Sequence, residues 1–235
     1  MEACSYCGAS ALRKNGLARN GKQRYHCRAC GRSSRSAPGH GAYSEARKAE
    51  ILRAYQERTS LRGLTRIFGV SRQTVTAWLK KSPATAAASS DAGAGARPVD
   101  GLELDELCTF VGRRSRKVWL WLALCRRTRQ VVAYALGCRS RRTARKLWRR
   151  LPPEYRRAWC YTDLWEAYTG VIPWRQHLPA ACRGTTIHIE RFNATLRARL
   201  GRLVRKSLSF SRSVKLLDAC INLFLHDYNR TRQPI

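Results

Sequence analysis

The chain has 235 residues, with 46 Lys and Arg against 15 Asp and Glu and a formal net charge of +31. Such an excess makes it a polyanion binder, because Lys and Arg neutralise phosphates and release condensed counterions; nucleic acid is the leading partner, with a ribosomal-type protein or a membrane-surface binder as the bland alternatives. Nothing approaches the roughly 20 apolar residues of a membrane span, and the N-terminus is polar and Cys-rich, unlike a signal peptide. A soluble, cytoplasmic, nucleoid-associated protein with no membrane partner is expected.

Residues 1–36 read as a zinc ribbon. Cys4-x2-Cys7 and Cys27-x2-Cys30 place two pairs of thiolates 19 residues apart, the spacing at which two tight knuckles aim four sulfurs at one tetrahedral Zn2+. A segment this short has little core without the metal. A redox pair is the weaker alternative. His26 is a packing or surface residue, since four thiolates complete the shell. Arg13, Lys14, Arg19, Lys22 and Arg24 between the knuckles suit phosphate contact.

Residues 42–81 carry helical periodicity and predict a helix-turn-helix. Tyr43 to Arg58 predicts a supporting helix, and Leu61, Leu64, Ile67 and Phe68 fit one face of the next. Gly69 can take the left-handed turn, Val70 packs inward, and Ser71 caps a second helix whose Val75, Trp78 and Leu79 face the core. Arg72, Gln73, Thr74 and Thr76 then lie where a recognition helix meets base edges, and Lys80 and Lys81 can reach phosphates. A generic helical hairpin is the bland alternative. Residues 82–98 (SPATAAASSDAGAGARP) lack bulky apolar side chains and predict a flexible linker that lets the flanking parts move separately.

Residues 99–235 predict an α/β domain. LELDELCTFV, KVWLWLALC and QVVAYALG are strand-like runs separated by basic turn-like segments, an antiparallel meander. SRRTARKLWRRL reads as a basic helix capped by Ser140, AWCYT as a short buried strand, and 164–184 as an irregular connection. Helical patterns follow from Thr185 through IERFNATLRARLGRLV, and in SRSVKLLDACINLFLHDYN with Ser211 or Ser213 as cap. Trp119, Trp121, Trp148 and Trp159 are core candidates. The six scattered cysteines (Cys108, Cys125, Cys138, Cys160, Cys182, Cys220) read as small buried apolar residues.

Acids are scarce in this half: none lies between Glu106 and Glu154, and none between Glu190 and Asp218. Asp105 sits midway along the first strand, Asp163 just after AWCYT, and Glu190 at the start of the long helix. If these strands are neighbours the three meet, and three hard oxygen ligands around Mg2+ (or Mn2+) suit in-line phosphoryl transfer. Singly, each has a bland reading as a cap or salt-bridge partner. Arg197 follows Glu190 by seven residues and projects from the same helix face, with Asn193 and Ala194 between. Glu103 shares the strand face of Asp105, while Glu106 points to the other, and both rank behind Asp105. His188 is read as non-catalytic; Trp165 and Tyr168 are better placed to line the site.

ELDELCTFVG with KVWLWLALC, then YTDLWEAY, then IERFNATLRARLGRLVRKSLSFSRSV resemble the three acidic blocks of insertion sequence 1 family transposases, and the CxxC ribbon and helix-turn-helix match as well. The resemblance implies a ribonuclease H-like catalytic domain, a mixed five-stranded sheet with helices, in which Asp105, Asp163 and Glu190 bind metal and Arg197 is the accompanying basic residue. Leu164 and Thr186 to His188 depart from the family pattern. The implied function is a DNA transposase that binds terminal inverted repeats and target DNA, as a homo-oligomer on DNA, and cleaves and joins strands by direct transesterification. Some members are encoded in two overlapping frames; this continuous chain has the look of the complete enzyme. The rivals are a non-catalytic zinc-ribbon/helix-turn-helix regulator with a decayed nuclease domain, and a nuclease on the same fold.

Overall fold

The computed structural model describes residues 3–18, 21–35, 43–81, 100–180, 184–204 and 208–232. The predicted linker 82–98, Arg19 and Cys182 lie outside them. Two compact units are formed, Met1–Lys48 and Ala49–Ile235.

In the first unit, β1 (Leu12–Leu17), β2 (Gln23–Cys27) and β3 (Ser33–Arg35) make an antiparallel sheet in that order. Each cysteine pair closes a tight knuckle: Gly8 N donates to Cys4 O and Gly31 N to Cys27 O, both at 2.9 Å. Gly8 and Gly31 take the positive φ that turns the chain away at these points.

The second unit opens with α1 (Glu45–Gln56), whose residues from Ala49 onward belong to it, α2 (Leu61–Phe68) and α3 (Arg72–Lys81). Ser60 Oγ accepts from Gly63 N, Gly69 stops α2 at φ 67, and Ser71 Oγ accepts from Thr74 N at 3.0 Å, so the turn between α2 and α3 is held by caps at both ends. Leu64, Val70, Val75 and Leu79 are buried as expected. Ile67 is not: it is 65% exposed, because a helix this short buries a narrow stripe that Leu64 already fills.

A five-stranded sheet follows, ordered β6-β5-β4-β7-β8 from β4 (Gly101–Val111), β5 (Arg113–Cys125), β6 (Val131–Gly137), β7 (Trp159–Thr162) and β8 (His177–Pro179). β4, β5 and β6 form the antiparallel meander, whereas β7 and β8 join in parallel. β5 begins four residues before the apolar run, since Val111 pairs with Arg113 across a tight turn at Gly112 and leaves Arg113–Lys117 as an exposed basic hairpin arm. β8 arises inside the segment read as irregular; three residues are too few for a periodic signal. α4 (Arg141–Arg150) covers one face of the sheet, over Leu104, Trp121 and Ala135. α5 (Ile187–Arg199) and α6 (Val214–Arg230) cover the other, over Leu107, Leu120, Leu122 and Leu124. α5 stops short of the predicted helical run because Leu200 turns extended ahead of Gly201.

Three smaller expectations are corrected. Trp159 is 48% exposed on the short β7. Cys138 is exposed beyond the end of β6. Ser140 precedes α4 but its hydroxyl faces Cys138 Sγ at 3.0 Å and caps no amide; Ser213 stands at the start of α6, also without a side-chain cap bond.

The two parts flanking the linker were expected to move separately, yet the helix-turn-helix and the sheet form one unit. α3 packs on α6. From α1, Tyr55 OH meets Cys220 Sγ at 3.1 Å and Gln56 Nε2 donates to Asp227 Oδ2 at 2.5 Å, while Arg202 donates to Tyr55 OH. Buried Ile51 and Tyr55 supply the apolar area that holds this seam. No helix among the described residues is long and apolar enough to cross a membrane.

Candidate metal and nucleic-acid sites

The four ribbon thiols converge. Their sulfurs lie within 4.8 Å of one another, with Cys4–Cys30 and Cys7–Cys27 each 3.7 Å apart. A tetrahedral ZnS4 centre with Zn–S near 2.3 Å requires S···S of about 3.8 Å, so the donor set fits zinc. The Cys4 thiol is drawn down to about 6, first by the Tyr6 amide and next by that of Cys7, which favours the thiolate a metal binds.

The carboxylates follow from strand register. β4 and β7 run in parallel with Glu103 opposite Tyr161, so two residues on, midway along β4 and just past the carboxyl end of β7, Asp105 and Asp163 stand side by side. Their oxygens and one of Glu106 lie within 4.8 Å of one another. β7 ends at Thr162 while β4 runs on, and open α/β sheets bind ligands beyond the carboxyl end of a strand.

Each carboxylate is oriented. Asp105 Oδ1 accepts from Glu106 N at 2.8 Å and Oδ2 from Asn193 Nδ2 at 2.6 Å. Asp163 Oδ1 accepts from Trp165 N at 3.0 Å. Glu106 takes Arg139 Nε at 2.7 Å on one oxygen and Tyr168 OH at 3.0 Å on the other. The Arg139 guanidinium lies 4.8 Å from the Trp119 ring centroid and 4.2 Å from that of Trp165. The Asp105 carboxyl is pushed up to about 7, first by burial and further by the charges of Glu106 and Asp163; burial likewise raises Glu106. Three hard oxygen donors crowded where their charge is disfavoured match a divalent cation of the Mg2+ class.

Glu190 is on α5 but outside this cluster: it is exposed, and its Oε1 accepts from the Thr186 hydroxyl at 2.8 Å. Arg197, nearly two turns on, is half-buried on the same helix. His188 offers its backbone N–H, at 2.9 Å, to Glu103 Oε2, which also accepts from Ile189 N at 2.9 Å. Glu103 is fully buried and paired with Arg126 at 3.1 Å. A strand carboxylate thus caps α5 from outside the helix and fixes where Glu190 and Asn193 stand relative to Asp105.

Sequence reasoning underrated Glu106 and assigned nothing to Asn193. Alternation put Glu106 on the far face, correctly, but the β7 pairing of β4 stops at Glu103, so past it side chains from both faces border the same open edge. The three-residue spacing of Asn193 from Glu190 was the available signal.

On the helix-turn-helix, Arg72, Gln73, Thr76 and Lys80 line a concave surface with Thr65, Ser71 and Ala77. Thr74 is half-buried, and its hydroxyl is 2.8 Å from Ser71 Oγ within the cap.

The IS1 transposase family matches residues 99–230, and a homeodomain-like domain matches residues 42–82. The chain is 39% identical over 126 residues to the insertion element iso-IS1n protein InsB of Shigella dysenteriae, across 54% of this chain and 94% of that protein. It is 40% identical over 124 residues to the insertion element IS1 4 protein InsB of Escherichia coli K12, covering 53% and 72% of the two chains. The insertion element IS1 protein InsB of Shigella flexneri is also 40% identical over 124 residues, covering 53% and 92%.

Proposed function

Because the chain belongs to the IS1 transposase family, we propose that it binds the terminal inverted repeats of an insertion sequence and carries out metal-dependent strand cleavage and strand transfer. The catalytic domain, 99–235, is read as ribonuclease H-like, with the zinc ribbon 1–36 and the helix-turn-helix 42–81 recognising the element end. Arg72, Gln73, Thr76 and Lys80 face the DNA, and Thr74 stiffens the start of α3.

The observation that carries this reading is the side-by-side placement of Asp105, midway along β4, and Asp163, just past the end of β7, with Asp105 tied to α5, the helix that carries Glu190, through Asn193. Asp105, Asp163 and Glu190 would hold Mg2+ or Mn2+, which supplies Lewis-acid stabilisation of charge on phosphate oxygens. To join the two aspartates, Glu190 would exchange its bond from the Thr186 hydroxyl for the metal, its side chain being exposed. Asn193 holds Asp105 in place, and Arg197 meets the phosphate charge of the bound strand. Glu106, tied to Arg139 and Tyr168, keeps Asp105 and Asp163 at the strand edge.

Hydrolysis at the element end leaves a 3′-hydroxyl. Its oxygen attacks a target phosphodiester in line, so one P–O bond forms as another breaks and no protein–DNA bond is made. Bond number is conserved in the second step, and no nucleotide cofactor is needed.

The test is a cleavage and strand-transfer assay with a duplex carrying the element's terminal repeat. Asp163→Asn and Glu190→Gln should each bind that duplex as the parent does and lose at least a hundredfold in Mg2+-dependent cleavage. Undiminished cleavage by either variant would remove that residue from the triad.

A further inference from the structure

Helix α4 carries six Arg or Lys among its ten residues, RRTARKLWRR, and no acid. Ala144 and Leu147 are buried against the sheet, and all six cations are exposed. Two are engaged at the sheet margin. Lys146 Nζ donates to Leu136 O at 3.3 Å and Arg150 Nη1 to Tyr134 O at 2.9 Å, both carbonyls of the outer strand β6. The other four, Arg141, Arg142, Arg145 and Arg149, make no ion pair with an acidic side chain among the described residues.

This helix is assembled against its own electrostatics. Cations four residues apart repel, Arg141 and Arg142 occupy the positive end of the helix dipole, and the Ser140 side chain caps no first-turn amide. Rules broken together, with four of the six cations lacking an acidic partner among the described residues, mark a surface whose compensation comes from a ligand. Arg141, Arg145 and Arg149 stand at i, i+4 and i+8, about 6 Å apart along the axis, comparable with the separation of successive phosphates along one strand of nucleic acid.

The placement says which duplex. α3 packs on α6, and α6 covers the Leu120 and Leu122 face of the sheet; α4 covers the opposite face, over Trp121 and Ala135. A duplex read by α3 is therefore separated from α4 by the sheet and its helical layers. We propose that α4 holds the target duplex through its phosphates, by Arg141, Arg145 and Arg149 and without regard to sequence, while α3 holds the element end. This rests on the transposase reading above.

The test uses the full chain with Arg141→Gln, Arg145→Gln and Arg149→Gln combined, and a second variant with Lys at all three positions. The Gln variant should bind and cleave an end-containing duplex within about twofold of the parent. Its affinity for a duplex of scrambled sequence should depend less steeply on salt, the log–log slope falling by about 3 for three lost phosphate contacts. Joining of pre-cleaved ends to a plasmid should drop at least tenfold, and the Lys variant should recover most of it. Since like charges are removed, the melting temperature should hold or rise. An unchanged salt slope with unchanged joining overturns the proposal. So does equal loss of end cleavage and joining, which would place the element end on α4, and so does a variant that unfolds, which would make the arginines structural. Failure of the parent to cleave ends at all would instead overturn the transposase reading.

Discussion

Asn193 donates its side-chain amide to Asp105 Oδ2 across 2.6 Å, while its own Oδ1 is buried with no hydrogen-bond partner among the described residues. The amide links a helix to a strand 88 residues away, and it fixes the acid that the candidate metal site depends on most.

Loss of that tie should weaken metal binding more than folding. Hydrogen bonds that orient a ligating carboxylate are worth about 10- to 100-fold in metal affinity or activity. Asn193→Ala should raise the Mg2+ concentration for half-maximal cleavage by about tenfold or more, with end binding intact. A metal titration that overlays the parent's would show that Asn193 only packs.

Asp105 gives the metal-free protein a pH dependence of defined sign. Its folded pKa of about 7 exceeds the ordinary 3.8, so the folded state holds the proton more tightly than the unfolded chain. The resulting stabilisation is complete below 3.8 and is lost as pH rises through 7, at most roughly 4 kcal/mol. In a chelator, Tm should fall between pH 5 and 8, Asp105→Asn should flatten that slope, and added Mg2+ should restore Tm at pH 8 by binding the ionised form. Parallel slopes for parent and variant would locate the effect elsewhere.

Glu103 should prove a stability residue. It is fully buried and caps α5 through His188 N and Ile189 N while pairing with Arg126. Glu103→Ala leaves two amides unsatisfied and Arg126 without its partner, at a cost of about 2–4 kcal/mol. For a unit of this size that is a Tm loss of about 5–15 °C, measurable by calorimetry. Glu103→Gln, which keeps one acceptor, should lose less.

Zinc removal should act on the first unit alone. Cys4→Ser with Cys27→Ser should reduce zinc from one ion per chain to near zero, and hydrogen exchange should quicken across β1–β3. Residues of the five-stranded sheet should keep their protection, because that unit has its own core. Stoichiometric zinc in the double variant would displace the assignment.

Cysteine spacing, the periodicity around Leu64 and Val75, and the short apolar runs of the first three strands were legible in the sequence because each depends on neighbours a few residues away. So were Asp105 and Asp163, at predicted strand positions. What local pattern could not supply was the parallel register of β4 with β7, a pairing across more than fifty residues that sets the two acids abreast. The orientation of Glu190 toward Thr186, the entry of Glu106 into the cluster from the other face, and the capping of α5 by Glu103 were decided the same way, by contacts distant in sequence. The exposure of Ile67 and Trp159 and the joining of α1 and α3 to α6 follow from which apolar faces found partners. Side-chain type and spacing therefore determined which chemistry the chain carries, and long-range packing decided where in the fold those groups meet.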